Sequence, residues 1–284
     1  MKLSVIIPTC NRPDRLQECL GRVLKQSGSY EVIVSDDGWT GAFRLAGVKW
    51  VQGPRRGPAA NRNCGARHAS GDWLVFLDDD CLPEDGWLEA YEAAMTGDAE
   101  ILEGQTVCPM EDRLGFYEVI ENLDGGAFWS CNLALRREEF EKLGGFDEDF
   151  TEACAEDMEF AWRMRQRGSR SAFVEKATVT HPPRALGAAG LLRRTAAHRW
   201  ILLYRLKTGQ ASKRPLPRAV GKLVAREYAD SLRMLYHLQR AGERRRIKGN
   251  ALWALWRWVS LPWFMPYYIW WDLRWRFSGK DGLE

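Results

Sequence analysis

The stretch GDWLVFLDDDCLPEDGW, residues 71–87, places three adjacent carboxylates directly after an apolar run. The run, residues 73–77, has the length and composition of a buried β-strand. Asp78, Asp79 and Asp80 follow without a spacer, and like charges this close raise one another's pKa unless a cation lies among them. The stretch therefore predicts a strand that ends at a cation-binding site.

Outward from this stretch, the chain alternates strand-like and helix-like segments. Strands are predicted at residues 3–8, 30–38, 48–53, 72–80, 100–107 and 127–137, and helices at 12–26, 57–70, 137–144 and 155–167. The βα alternation of the first half indicates an α/β fold with a mainly parallel sheet in three layers.

Three polar clusters fall at predicted strand ends, where ligands bind in such sheets. They are Pro8 with Thr9, Asp36 with Asp37, and the aspartates 78–80. Carboxylate oxygens suit Mg²⁺ or Mn²⁺ and not zinc. Because Mg²⁺ usually takes only one or two carboxylates and completes its shell with water and phosphate, a diphosphate ligand is expected.

Four further residues are candidates for the same site. Arg62 matches the geometry of phosphate oxygens. His181 is either a nitrogen ligand of the metal or an ordinary polar residue of a loop. Glu156 and Asp157 open a predicted helix, where carboxylates stabilise the helix dipole and where one of them can also act as a general base toward a hydroxyl.

The charge of the chain is divided unevenly along its length. The total is only +3, but residues 1–181 hold 20 Lys and Arg against 32 Asp and Glu, a net charge of −12, and residues 182–284 have a net charge of +15. A basic C-terminal part is typical of proteins that contact a polyanion, which is either nucleic acid or an anionic membrane surface.

The cysteines and the N-terminus both favour a reducing compartment. All seven cysteines lie before residue 155 and none forms a Cys-x-x-Cys pair, which disfavours a disulfide framework or a zinc site. Small buried apolar residues are the simplest interpretation of each one. The start, MKLSVIIPTCNRP, lacks the long apolar run and cleavage site of a signal peptide, so a cytoplasmic location is expected.

Five segments together resemble the family 2 inverting glycosyltransferases, which have the nucleotide-sugar-binding GT-A fold. They are SVIIPTCNRPDRL, VIVSDDG, GPAANRNCGARHASGDWLVFLDDDCLP, CNLALRREEFEKLGGFDEDF and AEDMEFAWRMRQRG, in the family's order within residues 3–181. Each segment is a weak signal by itself, and the ordered set is specific.

The resemblance implies a role for each candidate residue. Pro8, Thr9 and Arg12 would line the nucleoside pocket, Asp37 or its neighbour Asp36 would accept a hydrogen bond from the base, and Arg62 would lie near the nucleotide. Asp78 and Asp80 would form the metal-binding pair for Mg²⁺ or Mn²⁺, with Asp80 closer to the ion and His181 completing its shell. Asp79 would contact the sugar or point elsewhere. Asp157 would be the general base, with Glu156 as the fallback.

Two departures from the family pattern bear on the reaction. Trp39 stands where the family usually has Ser or Thr, which changes the local shape of the nucleotide pocket. Processive synthases carry Gln-x-x-Arg-Trp, but here Ala196 precedes Arg199 and Trp200 in the glutamine's place. Addition of a single sugar to each acceptor is therefore expected.

The C-terminal tail, residues 187–284, lies outside the strong resemblance and reads as basic helices rich in tryptophan. Seven tryptophans lie within residues 251–277: Trp253, Trp256, Trp258, Trp263, Trp270, Trp271 and Trp275. Arg257 interrupts the apolar run, and Pro262 and Pro266 are expected to break the helix. Trp and Tyr beside Arg are typical of a membrane interface, and the basic segment 243–250 would attract anionic headgroups.

A helix pair lying in the cytoplasmic leaflet is the favoured interpretation of the tail. Aromatic packing within the protein and a re-entrant or spanning hairpin remain alternatives. The sequence thus predicts a GT-A domain at 1–186 and a membrane-associating extension at 187–284.

The predicted enzyme is a metal-dependent hexosyltransferase that moves one sugar from a UDP- or dTDP-sugar to a lipid-linked glycan, such as a polyprenyl-linked saccharide, in cell-envelope polysaccharide synthesis. It would act on the cytoplasmic face of the membrane, with no nucleic acid partner expected. The alternatives are a nucleotidyltransferase of similar fold and a catalytically silent nucleic-acid-binding module.

Overall fold

The computed structural model describes residues 2–38, 45–109, 116–210, 225, 229, 255–256, 258–260, 262–271 and 273. Trp39, Arg257, the segment 243–250, Trp253 and Trp275 lie outside the described residues, and so do the expectations placed on them. The chain divides into two compact units: Met1–Pro109 with Val119–Pro182, and Met110–Glu118 with Pro183–Glu284.

The principal strands and helices of the described residues are numbered in chain order. The strands are β1 (Leu3–Thr9), β2 (Tyr30–Asp36), β3 (Val48–Gln52), β4 (Trp73–Leu77), β5 (Leu82–Pro83), β6 (Ile101–Val107), β7 (Tyr117–Glu118), β8 (Asn132–Arg136), β9 (Ser171–Thr180) and β10 (Arg184–Ala185). The helices are α1 (Pro13–Val23), α2 (Pro58–His68), α3 (Trp87–Ala94), α4 (Arg137–Lys142), α5 (Glu156–Arg167), α6 (Ala188–Ala196) and α7 (His198–Lys207).

The first unit is built on one eight-stranded sheet in the order β3-β2-β1-β4-β8-β6-β9-β5. Strands β3, β2, β1 and β4 are parallel, β8 runs antiparallel between β4 and β6, and β9 is parallel to β6. The predicted α/β fold with a mainly parallel sheet is confirmed. The parallel register brings the carboxyl ends of β1, β2 and β4 to the same edge of the sheet.

Two apolar layers cover the two faces of this sheet. Since successive side chains of a strand point to opposite faces, Val5 and Ile7 of β1 join one cluster and Ile6 joins the other. The first cluster includes buried residues of α1 and α3, and the second includes a group of phenylalanines, Phe140, Phe146 and Phe160. Burial of such a side chain contributes about 1.5–3 kcal/mol, so the strands that carry the site are held firmly from both sides.

The predicted strand at 127–137 is correct only in its second half. Strand β8 begins at Asn132, and Phe128 has φ 53°, a left-handed conformation that does not fit a strand. The cause is the buried carboxylate of Glu103, which accepts hydrogen bonds from the backbone N–H groups of Gly126 and Phe128. These hydrogen bonds hold the residues before β8 in a loop. The apolar periodicity of the sequence does not predict them.

The second unit begins with the small antiparallel sheet of β7 and β10. Glu118 of β7 pairs with Arg184 at 3.1 Å and with Arg194 at 2.6 Å. Two basic helices follow, as expected for the start of the tail: α6 ends before Ala197 and α7 begins after it. None of the helices in the described part of the chain combines the length and apolar character that a membrane crossing needs.

The aromatic residues of the tail are divided between packing and exposure. Residues 262–271 are helical, so the expected break at Pro266 is wrong for this segment. Tyr268 is fully buried and its hydroxyl donates to the carbonyl of Thr195. By contrast, Trp258, Trp263 and Trp270 are 43%, 82% and 52% exposed. The tertiary contacts of Tyr268 therefore stabilise the helical conformation of the residues after Pro266.

Candidate active site

The three predicted polar clusters meet at the edge where β1, β2 and β4 end. Thr9 is opposite Asp36 in the β1–β2 register, and its hydroxyl donates a 2.6 Å hydrogen bond to Asp79 Oδ2. Asp79 is fully buried, and burial raises its pKa to about 7 although Arg12 and Thr9 oppose the shift. Of the two roles expected for Asp79, its burial favours the one in which it points away from the sugar.

Arg12 spans two of the three aspartates. Its Nη2 lies 2.8 Å from Asp79 Oδ1, and its Nη1 donates a 2.8 Å hydrogen bond to Asp80 Oδ2. Arg12 was expected to line the nucleoside pocket. The structure places its guanidinium on the carboxylates themselves, where it partly neutralises them.

His181, which follows β9, faces the same aspartate. Its Nε2 lies 3.6 Å from Asp80 Oδ1, and its Nδ1 lies 3.1 Å from the carbonyl oxygen of Pro182. A carbonyl oxygen can only accept, so Nδ1 carries a proton and Nε2 is the ring nitrogen that faces Asp80. At this separation the ring nitrogen and the carboxylate oxygen can share a cation, either a proton or a metal ion.

The donor set at this point fits a divalent metal with hard ligands. Asp80, Cys81 and His181 place their ligand atoms within 4.8 Å of one another in the described part of the chain, and all three are buried. The 3.6 Å between Asp80 Oδ1 and His181 Nε2 is a separation that two donors of one ion at about 2.1 Å can have. Cys81 is a soft donor whose pKa is raised by its contact with Cys131, so Asp80 and His181 are the pair that suits Mg²⁺ or Mn²⁺.

Arg62 links the aspartates to the start of α5. It is 4% exposed, its Nη2 donates a 2.7 Å hydrogen bond to Asp78 Oδ1, and its Nη1 lies 3.3 Å from Glu156 Oε1. Burial raises the pKa of Asp78, but the charge and hydrogen bond of Arg62 outweigh it and the net shift is downward. Arg62 therefore acts in this structure as a buried bridge between carboxylates, and its expected contact with the nucleotide stays a prediction.

The two candidate bases at the start of α5 are in different environments. Glu156 is 4% exposed and directed at Arg62; burial and the charge of Asp157 raise its pKa to about 8. Asp157 is half-buried, and its Oδ1 has no well-formed hydrogen bond. Burial raises the pKa of Asp157, while Arg62 and Ser130 lower it in part. Asp157 is the more accessible of the two and the better placed to receive a proton.

Two backbone positions near these carboxylates have a positive φ. Ala155, just before Glu156, has φ 71°, a conformation that costs a non-glycine residue about 1–3 kcal/mol. Gly57, just before α2, has φ 96°, and a Cβ there would lie 2.2 Å from the carbonyl oxygen of Thr151. Only glycine permits this approach, which brings the loop before α5 against the start of the helix that carries Arg62.

The predicted base-binding residues are engaged with the backbone. Asp36 Oδ1 accepts a hydrogen bond from the N–H of Gly38, and Asp37 Oδ1 accepts one from the N–H of Arg55, each at 2.8 Å. Burial raises the pKa of Asp37. Pro8 is buried within β1. Contacts of these residues with a nucleotide remain predictions.

The structure thus brings Thr9, Arg12, Arg62, Glu156, Asp157, His181 and the aspartates 78–80 to one strand edge. The sequence interpretation missed Cys81 and Ser130. Cys81 directly follows the aspartates, so its place near the site could have been predicted from the sequence. Ser130 lies near Asp157 after the loop that is hydrogen-bonded to Glu103, and no sequence pattern indicates this proximity.

Two family models match this chain over overlapping ranges. Glycosyl transferase family 2 matches residues 4–122, and the model described as the N-terminal domain of galactosyltransferase matches residues 114–184. The two ranges together span residues 4–184, which include every residue of the candidate site from Pro8 to His181.

Two curated proteins illustrate the similarity. Validoxylamine A glucosyltransferase of Streptomyces hygroscopicus is 29% identical over 218 residues, covering 58% of this chain and 52% of that protein. Glycosyltransferase AglE of Haloferax volcanii is 26% identical over 209 residues, covering 65% of this chain and 68% of that protein. The chain spans about half the length of the first of these relatives.

A solved structure shares the fold. The mannosyltransferase PcManGT from Pyrobaculum calidifontis, in complex with GDP-Man and Mn²⁺, superposes with a TM-score of 0.56 at 18% identity, covering 98% of this chain and 88% of that one. The fold is that of the GT-A glycosyltransferases. Within that class, the family 2 model over residues 4–122 and the two relatives support a glycosyltransferase of family 2.

Proposed function

We propose that this protein is a metal-dependent inverting glycosyltransferase that moves one sugar from a nucleoside diphosphate sugar to an acceptor hydroxyl. The observation that carries the proposal is the pairing of a hard donor set, Asp80 with His181, and a half-buried base, Asp157, at the same edge of the sheet. Arg62 connects the two parts through Asp78 and Glu156.

The metal part of the site would hold the leaving diphosphate. Asp80 and His181 would bind Mg²⁺ or Mn²⁺. Asp78 would be a further ligand if its carboxylate exchanged the hydrogen bond from Arg62 for the metal ion. The ion when bound supplies positive charge that stabilises the departing nucleoside diphosphate. The presence of Mn²⁺ and GDP-Man in the PcManGT complex supports this assignment.

The base part of the site would activate the acceptor. Asp157 accepts the proton of the acceptor hydroxyl as the hydroxyl oxygen attacks the anomeric carbon from the side opposite the diphosphate. The bond from that carbon to the diphosphate oxygen breaks, and the configuration inverts. Burial supports this role because a raised pKa makes Asp157 a stronger base than an exposed aspartate.

A panel of nucleotide sugars tests the proposal. With Mn²⁺ present, at least one of UDP-, dTDP- or GDP-linked sugars is expected to raise the midpoint of thermal unfolding, since a ligand that binds only the folded state stabilises it. The same ligand is expected to lose most of this effect when EDTA replaces Mn²⁺. Stabilisation by none of the panel, or equal stabilisation in EDTA, would contradict the metal-dependent donor site.

Exposed apolar residues of the tail support the proposal that the acceptor is bound to a membrane. The exposed apolar side chains of its described helical residues include Leu255, Trp258, Val259, Trp263 and Trp270. Trp263 and Trp270 are seven residues apart and so lie on one face of the helix at 262–271. Aromatic residues exposed in this way beside a basic tail fit an anionic lipid interface, on the cytoplasmic face of the membrane with a lipid-linked glycan as acceptor.

Flotation with vesicles tests the membrane proposal. The full chain is expected to float with vesicles that contain phosphatidylglycerol, and the double variant Trp263→Ser, Trp270→Ser should bind them about tenfold more weakly because two aromatic side chains no longer enter the interface. Met158→Ser is the matched control, since Met158 is 44% exposed on α5 in the first unit. Equal flotation of the double variant would refute the proposed surface.

A further inference from the structure

The acidic cluster already contains a cation supplied by the protein. Arg12 contacts Asp79 and Asp80 at 2.8 Å each. Asp80 is at the same time the residue that faces His181 through its other oxygen. The guanidinium of Arg12 and a divalent ion would therefore both interact with the negative charge of the Asp80 carboxylate.

The backbone holds Arg12 in this position. Arg12 directly precedes α1, which begins at Pro13, and follows Asn11, whose φ is 55°. Gly38 lies against this turn, since a Cβ there would be 2.8 Å from the backbone nitrogen of Asn11. Because β1 and β4 are adjacent and parallel, a turn at the end of β1 places Arg12 over the aspartates that follow β4.

The two arginines at the cluster differ in how easily they can leave. Arg62 is buried, with a side chain that is 4% exposed, and it is tied to carboxylates from two elements. The side chain of Arg12 is 40% exposed. A partly exposed arginine exchanges its partners at a lower cost in solvation than a buried one, so Arg12 is the more exchangeable cation of the pair.

We propose that Arg12 is a resident counter-cation that competes with the divalent metal and is drawn away by the diphosphate of the incoming nucleotide. The inference rests on the proposed function, because it concerns the same metal site. If so, the nucleotide-free protein binds the metal ion weakly. A nucleoside diphosphate raises the metal affinity in two ways, by contacting the ion directly and by drawing Arg12 away from Asp80. Arg suits the exchange because its planar fork fits carboxylates and phosphates equally.

Binding of Mn²⁺ measured by electron paramagnetic resonance, without any donor sugar or turnover, tests the inference. In the absence of nucleotide, Arg12→Gln is expected to bind Mn²⁺ about tenfold more tightly than the wild type, because one positive charge near the ion has been removed. With UDP or GDP at saturating concentration, the difference should shrink or reverse, since the variant also lacks a phosphate contact. Arg15→Gln, an exposed arginine of α1, is the matched control and should behave as wild type.

Thermal unfolding provides a second measurement. Removal of Arg12 leaves Asp79 buried without its cation, so Arg12→Gln should be less stable than wild type and should gain more from added Mn²⁺. Arg12→Lys, which keeps the charge but cannot bridge two carboxylates, should fall between the two. Nucleotide-free Mn²⁺ affinity of Arg12→Gln that equals or falls below that of wild type would overturn this inference and leave the proposed function intact. No Mn²⁺ binding by any protein, with or without nucleotide, would overturn both.

Discussion

Asp157→Asn is expected to lower kcat for sugar transfer by about 10²–10⁴-fold, the usual contribution of a general base. Asparagine keeps the shape of the side chain but cannot accept the proton of the acceptor hydroxyl. The affinities for nucleotide and for Mn²⁺ should remain within about twofold of wild type, because Asp157 lies on α5 and the metal pair lies at Asp80 and His181. Initial rates at saturating donor, with binding measured separately, distinguish these effects.

The same variant should not be less stable than wild type. Burial raises the pKa of Asp157, so its charged form is disfavoured in the folded protein at neutral pH, and a neutral asparagine removes that cost. A melting temperature equal to or above that of wild type would therefore accompany the loss of activity. Asp98→Asn, an exposed aspartate between α3 and β6, is the control. Full activity of Asp157→Asn with loss in Glu156→Gln would transfer the role of base to Glu156.

Much of the first unit could be predicted because its signals are local. Short apolar runs that end in Pro8, Asp36 or Asp78 define the parallel strands, and the rule that their carboxyl ends share an edge gives the site's position. In the acidic stretch, Asp79 turns to Thr9 in the interior and Asp80 turns to His181, while their roles toward the sugar and the metal stay predictions.

What the sequence could not provide depends on contacts between distant segments. The bridge from Arg62 to Glu156 joins residues 94 positions apart, and the pairing of Arg12 with Asp79 and Asp80 depends on a left-handed turn at Asn11. Ser130 lies near Asp157 and follows the loop that is hydrogen-bonded to Glu103. The pairing of β7 with β10, in which Glu118 also contacts Arg184, likewise joins segments far apart in the chain, and no local pattern indicates it.

Asp80→Ala is the second change with a large expected effect. It removes one of the two hard donors and leaves His181 without a carboxylate partner, so Mn²⁺ affinity should fall sharply. Loss of an ion that contributes several kcal/mol to the transition state corresponds to a decrease of about 10³-fold or more in transfer rate. The protein should remain folded, since Arg12 keeps its contact with Asp79 and the apolar layers around β4 are unchanged. Asp85→Ala, an exposed aspartate five residues further along, is the matched control.

The central claim is that sugar transfer proceeds through a divalent metal held at Asp80 and His181. Its most direct test is the rate of sugar transfer by wild type, Asp80→Ala and Asp85→Ala at saturating Mn²⁺, with the Mn²⁺ bound to each protein measured in the same samples. The account predicts that wild type and Asp85→Ala bind Mn²⁺ and transfer sugar alike, while Asp80→Ala does neither at a detectable level. Transfer by Asp80→Ala at more than about a tenth of the wild-type rate would contradict it.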